Sequence, residues 1–132
     1  MIYLYKEKTM AEVIATANAP AAIGPYVQAR VSGNFIFISG QLGMDLSGNL
    51  PAGFAEQAHN SLNNLKAILA EGGSSLSKVL KTTVFLSDMA NFVQFNGIYA
   101  EYFSAPFPAR SCFEVARLPK DALVEIEVIA EK

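Results

Sequence analysis

Two stretches of the chain repeat their apolar residues with a helical period. From Phe54 these residues fall at Phe54, Ala58, Leu62, Leu65 and Leu69, with Pro51 near the start and Gly72 and Gly73 at the stop. A second helix is predicted after the segment 87–91: Asp88 or Asn91 can cap it, Phe92, Phe95, Tyr99, Tyr102 and Phe103 make its buried stripe, and Pro106 and Pro108 end it. The rest reads as strands. Residues 26–40 give two runs joined by Ser32-Gly33-Asn34, a hairpin composition, and Val79 to Ser87 is rich in β-branched residues. Arg110 to Ala116 and Leu123 to Ala130 flank a short turn, Arg117 to Asp121, and residues 11–16 can add a sixth strand. The order β-β-β-α-β-α-β-β is an α+β pattern in which two helices cover one face of a sheet of about six strands.

The other face then needs a partner. Phe35, Ile36, Phe37 and Ile38 put large apolar groups on both sides of their strand, and a bare sheet face of that kind exceeds the patch a monomer ordinarily exposes. Self-association is the expected remedy. In the last strand Leu123, Glu125, Glu127 and Ile129 point away from Val124, Ile126 and Val128, so Glu125 is expected at or near a subunit interface.

Composition narrows the classes. A chain of 132 residues, 52% hydrophobic and 17% charged, suits one globular domain, read as 11–132 after an amino-terminal extension, 1–10, that is left out of the functional argument. No run approaches the ~18 apolar residues of a membrane helix, which predicts a soluble protein that engages no membrane. A net charge of −2 without a basic run argues against nucleic acid as a partner. Cys112 is the single cysteine, which excludes an internal disulfide and suits the reducing cytoplasm.

Little conventional catalytic chemistry is on offer. His59 is the only histidine; with Glu56 it falls short of the three converging ligands a metal needs, and it is a poor base for a nucleophilic triad. Residues 39–43, Ser-Gly-Gln-Leu-Gly, lack the spacing of a phosphate cradle and read as a turn after a buried strand. Cys112 is either a small core residue or, beside Arg110, a thiol of lowered pKa. Arg110 cannot shed its charge, so it must reach water, pair with a carboxylate such as Glu114, Glu125 or Glu127, or await an anionic ligand. Pairing the last two strands across their turn sets Arg110 beside Val124 and Ile126, and only a slipped register joins it to Glu125.

Four segments, 19–28 (APAAIGPYVQ), 37–43 (FISGQLG), 81–96 (KTTVFLSDMANFVQFN) and 107–130 (FPARSCFEVARLPKDALVEIEVIA), closely resemble the Rid (YjgF-like) family, in its RidA subgroup of reactive intermediate deaminases. The similarity runs from about Glu12 to Ala130. It implies a chorismate-mutase-like α+β fold with a mixed sheet, a homotrimer built as a barrel, and clefts between subunits. It also implies cofactor-independent hydrolysis of enamine and imine acids, 2-aminoacrylate among them, to 2-keto acids and ammonia. Arg110 matches the family arginine that grips the substrate carboxylate, and Glu125 the acid that positions water. Cys112 matches a non-nucleophilic cleft cysteine; Tyr26, Ser39 and Asn96 match further cleft residues, with Gly40 at the wall. The segment 101–111 is shorter than is usual in the subgroup and the amino terminus longer, which bears on substrate preference more than on reaction type. Two rivals remain at this point: a non-catalytic module binding small carboxylates, and the ribonuclease activity attached to relatives.

Overall fold

The computed structural model describes residues 12–132, so the amino-terminal extension 1–10 lies outside the described residues. The strands are β1 (Val13–Ile14), β2 (Ala29–Ser32), β3 (Phe35–Leu42), β4 (Val79–Leu86), β5 (Ala109–Glu114) and β6 (Val124–Glu131); the helices are α1 (Phe54–Glu71) and α2 (Phe92–Tyr99). The sheet order is β1-β2-β3-β6-β4-β5, antiparallel throughout except for β4 and β5, which run parallel. The predicted α+β order is therefore present, and the sheet is mixed. A parallel pair needs a crossover connection, and α2 supplies it.

Both helices form for the predicted reasons. Ala58, Leu62, Leu65 and Leu69 of α1 are wholly buried, and the helix stops at Gly72, where a Cβ would overlap the Ile14 side chain. Asp88 caps the turn that leads into α2 by accepting from the Ala90 N–H at 2.8 Å. That helix is shorter than its aromatic stripe: Tyr102 and Phe103 lie in the turns after Tyr99, and Phe103 is still buried in the core. The β2–β3 hairpin turns at Gly33, whose φ of 58° is the left-handed conformation glycine adopts without strain.

Two expectations about strands are corrected. The last two strands do not pair: β6 lies between β3 and β4, while β5 is the sheet edge beyond β4. The inner row of β6, Val124, Ile126, Val128 and Ala130, is at most 3% exposed and belongs at the centre of a sheet. β5, carrying Arg110, Cys112 and Glu114 along one side, suits an edge. Most of the segment 39–43 is not a turn; β3 continues to Leu42 with a bulge, and only Gly43 lies beyond it. Between the pairs Ile38↔Val128 and Gln41↔Ile126, β3 advances one residue more than β6, so Ser39 and Gly40 together oppose Glu127. Beyond the bulge Gln41 faces the core and Leu42 turns to the open face beside Glu125. Helix α1 holds this end of β3 by hydrogen bonds from Ser61 Oγ to the Gln41 carbonyl at 2.7 Å and from Asn60 Nδ2 to the Gly43 carbonyl at 3.1 Å.

The helices cover one face only. On the other, Phe35, Phe37 and Phe113 are 43–45% exposed, and Ile129 and Phe85 are half-buried. A smaller apolar cluster of Leu42, Met44, Leu118 and Ala122, with Phe85 against it, covers one end of that open face.

Candidate active site

Arg110 stands on β5 directly beside Thr82 of β4, and Thr82 is wholly buried on the helix-covered side. Partners in a parallel ladder point the same way, so the guanidinium reaches toward α2. There it meets rings: its central carbon lies 4.8 Å from the Tyr99 centroid and 5.7 Å from that of Phe92. Among the described residues neither ion pair involves Arg110. The guanidinium borders a concavity of about 330 Å³ lined by Asn96, Tyr99, Ala100, Phe107, Pro108 and Arg110. Asn96 adds a second unspent group, because its Oδ1 is buried without a hydrogen-bond partner. A fixed cation and an unpaired acceptor on one concavity suit a small anion that also carries an N–H.

Cys112 follows on the same side of β5 and packs against the core. Burial pushes its thiol pKa up, and the neighbouring Arg110 charge offsets this only in part. Of the two readings of this cysteine, the small core residue is the one its environment supports; it is no activated thiolate.

Glu125 lies elsewhere. It pairs with Phe85 in the sheet and faces the open side, two strands across and three residues along from the Arg110–Thr82 pair. Burial raises its carboxyl above the ordinary carboxylate range, and the like charge of Glu127 adds to the shift. Its side chain lies over Gly40, where a Cβ would collide with the carboxylate, so the glycine makes room for it. Tyr26, Gly40 and Glu125 share a narrow crevice of about 40 Å³ with Gln28 and Pro119. Ser39 sits beside them in the bulge, its hydroxyl donating to the Val27 carbonyl at 2.6 Å.

The candidate residues thus fall into two groups within one chain. Arg110 and Asn96, with Cys112 along the strand, sit on the helix-covered face at the sheet edge. Tyr26, Ser39, Gly40 and Glu125 sit toward the open face.

A family model described as Endoribonuclease L-PSP matches residues 16–132. The chain belongs to this family. Within the L-PSP (YjgF/Rid) family, it is 51% identical over 125 residues to the 2-iminobutanoate/2-iminopropanoate deaminase of Escherichia coli strain K12, covering 92% of this chain and 98% of that one. It is 50% identical over 121 residues to the protein of the same name from Bos taurus, covering 90% and 88%. Among solved structures, E. coli TdcF with bound serine matches with a TM-score of 0.88 at 44% identity, over 92% of this chain and 98% of that one. The family resemblance read from the sequence is therefore borne out, and the L-PSP fold with it.

In this L-PSP member the residue reading missed two rings. Tyr99 and Phe92 read as core stripe, but with Asn96 they stand at i, i+4 and i+7, one helix face, and that face looks onto Arg110. The match of Asn96 to a cleft position was the available signal. His59, short of a metal site and of a triad, is half-buried and bonded through Nδ1 to the Tyr102 hydroxyl at 2.7 Å.

Proposed function

We propose that the protein hydrolyses small 2-imino acids, and the 2-enamino acids that tautomerise to them, to 2-keto acids and ammonia. The observation that carries this reading is the Arg110 guanidinium, without an ion-pair partner among the described residues, beside the unpaired Asn96 oxygen on one concavity. The deaminase names of relatives at about half identity support it. So does TdcF, whose bound serine carries a carboxylate and an amino group on one carbon, as an imino acid does.

In this reading the substrate carboxylate takes the planar N–H fork of Arg110, and Asn96 Oδ1 accepts from the iminium N–H. Glu125 orients a water and takes its proton as the oxygen attacks C2. The C=N π pair moves to nitrogen, giving a tetrahedral carbinolamine. Glu125 returns the proton to nitrogen, then takes the hydroxyl proton as ammonia departs and the oxygen forms the carbonyl, and the 2-keto acid remains. A protonated imine is already electrophilic, so orientation supplies most of the catalysis and no metal or organic cofactor is called for. The raised pKa of Glu125 suits a group that accepts and then releases a proton.

Arg110 and Glu125 sit on opposite faces of one sheet, so the cleft joins Arg110 of one copy to Glu125 of another, in a homotrimer whose open faces turn inward. The apolar open face supports that assembly. Among the described residues no helix is long and apolar enough to cross a membrane, and the lone thiol Cys112 suits the cytoplasm. RNA is the weaker substrate for this chain, whose net charge is −2.

The test is release of 2-keto acid from freshly generated 2-iminopropanoate, measured against semicarbazide trapping. A charge-assisted contact is worth roughly 1.5–3 kcal/mol, so Arg110→Ala should lose on the order of ten- to a hundredfold in kcat/KM, and Glu125→Ala a comparable amount in kcat. Wild-type rates in Arg110→Ala would remove the carboxylate role, and no acceleration by the wild type would leave only binding.

A further inference from the structure

Arg110 is a long side chain at a sheet edge, where nothing in the ladder fixes its end. A guanidinium that must present its fork to a carboxylate loses affinity for every alternative rotamer it samples. The structure contains a device that limits this sampling. Tyr99 places its ring 4.8 Å from the guanidinium carbon, and its hydroxyl meets Thr82 Oγ1 at 2.9 Å. Thr82 is the residue that stands beside Arg110 in the β4–β5 ladder, and it is wholly buried. The three residues therefore close a loop: backbone ladder from Arg110 to Thr82, hydrogen bond from Thr82 to Tyr99, ring face from Tyr99 back to the guanidinium. The Tyr99 ring is further wedged by Phe103 at 4.5 Å and Phe95 at 5.7 Å. A leucine would fill the same core, and a valine would suit a buried β-strand position better than threonine, so core packing alone does not call for either hydroxyl.

We propose that Tyr99 and Thr82 are positioning residues that hold the Arg110 guanidinium in its carboxylate-binding orientation. The proposal rests on the carboxylate role of Arg110 given above. Tyr99 touches no reacting atom in this account. Burial raises its phenol pKa, with the Thr82 hydrogen bond and the Arg110 charge opposing, so it serves as a neutral ring whose hydroxyl is tied to Thr82.

The experiment compares Arg110→Ala, Tyr99→Phe, Tyr99→Leu, Thr82→Val and the double variant Tyr99→Phe/Thr82→Val, with KM and kcat for 2-iminopropanoate and thermal unfolding measured on each. Loss of orientation raises KM: roughly three- to tenfold for Tyr99→Phe and for Thr82→Val, and more for Tyr99→Leu, which also removes the ring, while kcat stays within about twofold. The double variant should be no worse than the weaker single one, because both remove one bond. A merely structural pair would lower the unfolding temperature and leave KM in place, and that result in the folded variants overturns the proposal. If Arg110→Ala loses activity while the Tyr99 and Thr82 variants keep the wild-type KM, only the strut falls. If Arg110→Ala is itself unimpaired, the carboxylate reading and the strut fall together.

Discussion

At Glu125 two causes, burial and the charge of Glu127, both favour the protonated carboxyl over the ordinary value of 4.5. In the proposed mechanism the carboxylate is the form that takes a proton from water, so the rate is expected to fall as pH drops through the raised pKa. Glu127→Gln removes the second cause only. Its acid limb should move to lower pH than that of the wild type while the plateau rate persists, as read from kcat/KM across the acidic range; an unmoved limb would separate the limb from Glu125. Gly40 tests the placement of the same group. A Cβ there would land on the carboxylate end of a flexible side chain rather than on backbone, so the collision is relieved by pushing Glu125 aside. Gly40→Ala should therefore lose roughly ten- to a hundredfold in activity, the scale of a misplaced reacting group, with little change in unfolding temperature. Activity and melting measured on one preparation check both halves.

Gly43 gives the opposite outcome, because what a Cβ would meet there is the backbone of Gln57 in α1. The helix cannot yield without carrying its ties: Gln57 accepts from the Leu123 N–H at 2.8 Å and donates to the Pro51 carbonyl at 2.7 Å. Gly43→Ala should cost about 1–3 kcal/mol or more from overpacking, seen as a lower denaturation midpoint at an unchanged slope. Gly43 also marks where the sequence stops being legible. The helices and the β2–β3 hairpin follow from local signals, a repeat of apolar residues and a turn glycine. The bulge at Ser39 and Gly40 and the insertion of β6 between β3 and β4 are decided by pairing partners far away in the chain, which local periodicity does not encode. The site divides in the same way. Arg110 is conspicuous because a guanidinium on a strand needs an answer, whereas Thr82 reads only as a β-branched strand residue until Tyr99 is seen bonded to it.

For the whole molecule, the decisive fact is that Arg110 and Glu125 lie on opposite faces of one sheet while the open face keeps Phe35, Phe37 and Phe113 exposed. If one cleft needs both charged groups, the groups come from different copies, and covering the apolar face is what brings the copies together. Two inactive proteins should then repair one another. Arg110→Ala still offers a sound Glu125, and Glu125→Gln still offers a sound Arg110. When they are unfolded together, refolded and allowed to assemble at random in equal amounts, an interface is whole only where the Glu125→Gln copy supplies the arginine and the Arg110→Ala copy the carboxylate. In a cyclic assembly that arrangement arises at about one interface in four, so the mixture should regain about a quarter of the wild-type rate, whatever the number of subunits. A site contained within a single chain has no such route, because every chain in the mixture lacks one group or the other. Refolded separately and then combined without exchange, the two variants should stay as inactive as they began, which ties any recovered hydrolysis to the shared interface rather than to residual activity of either protein.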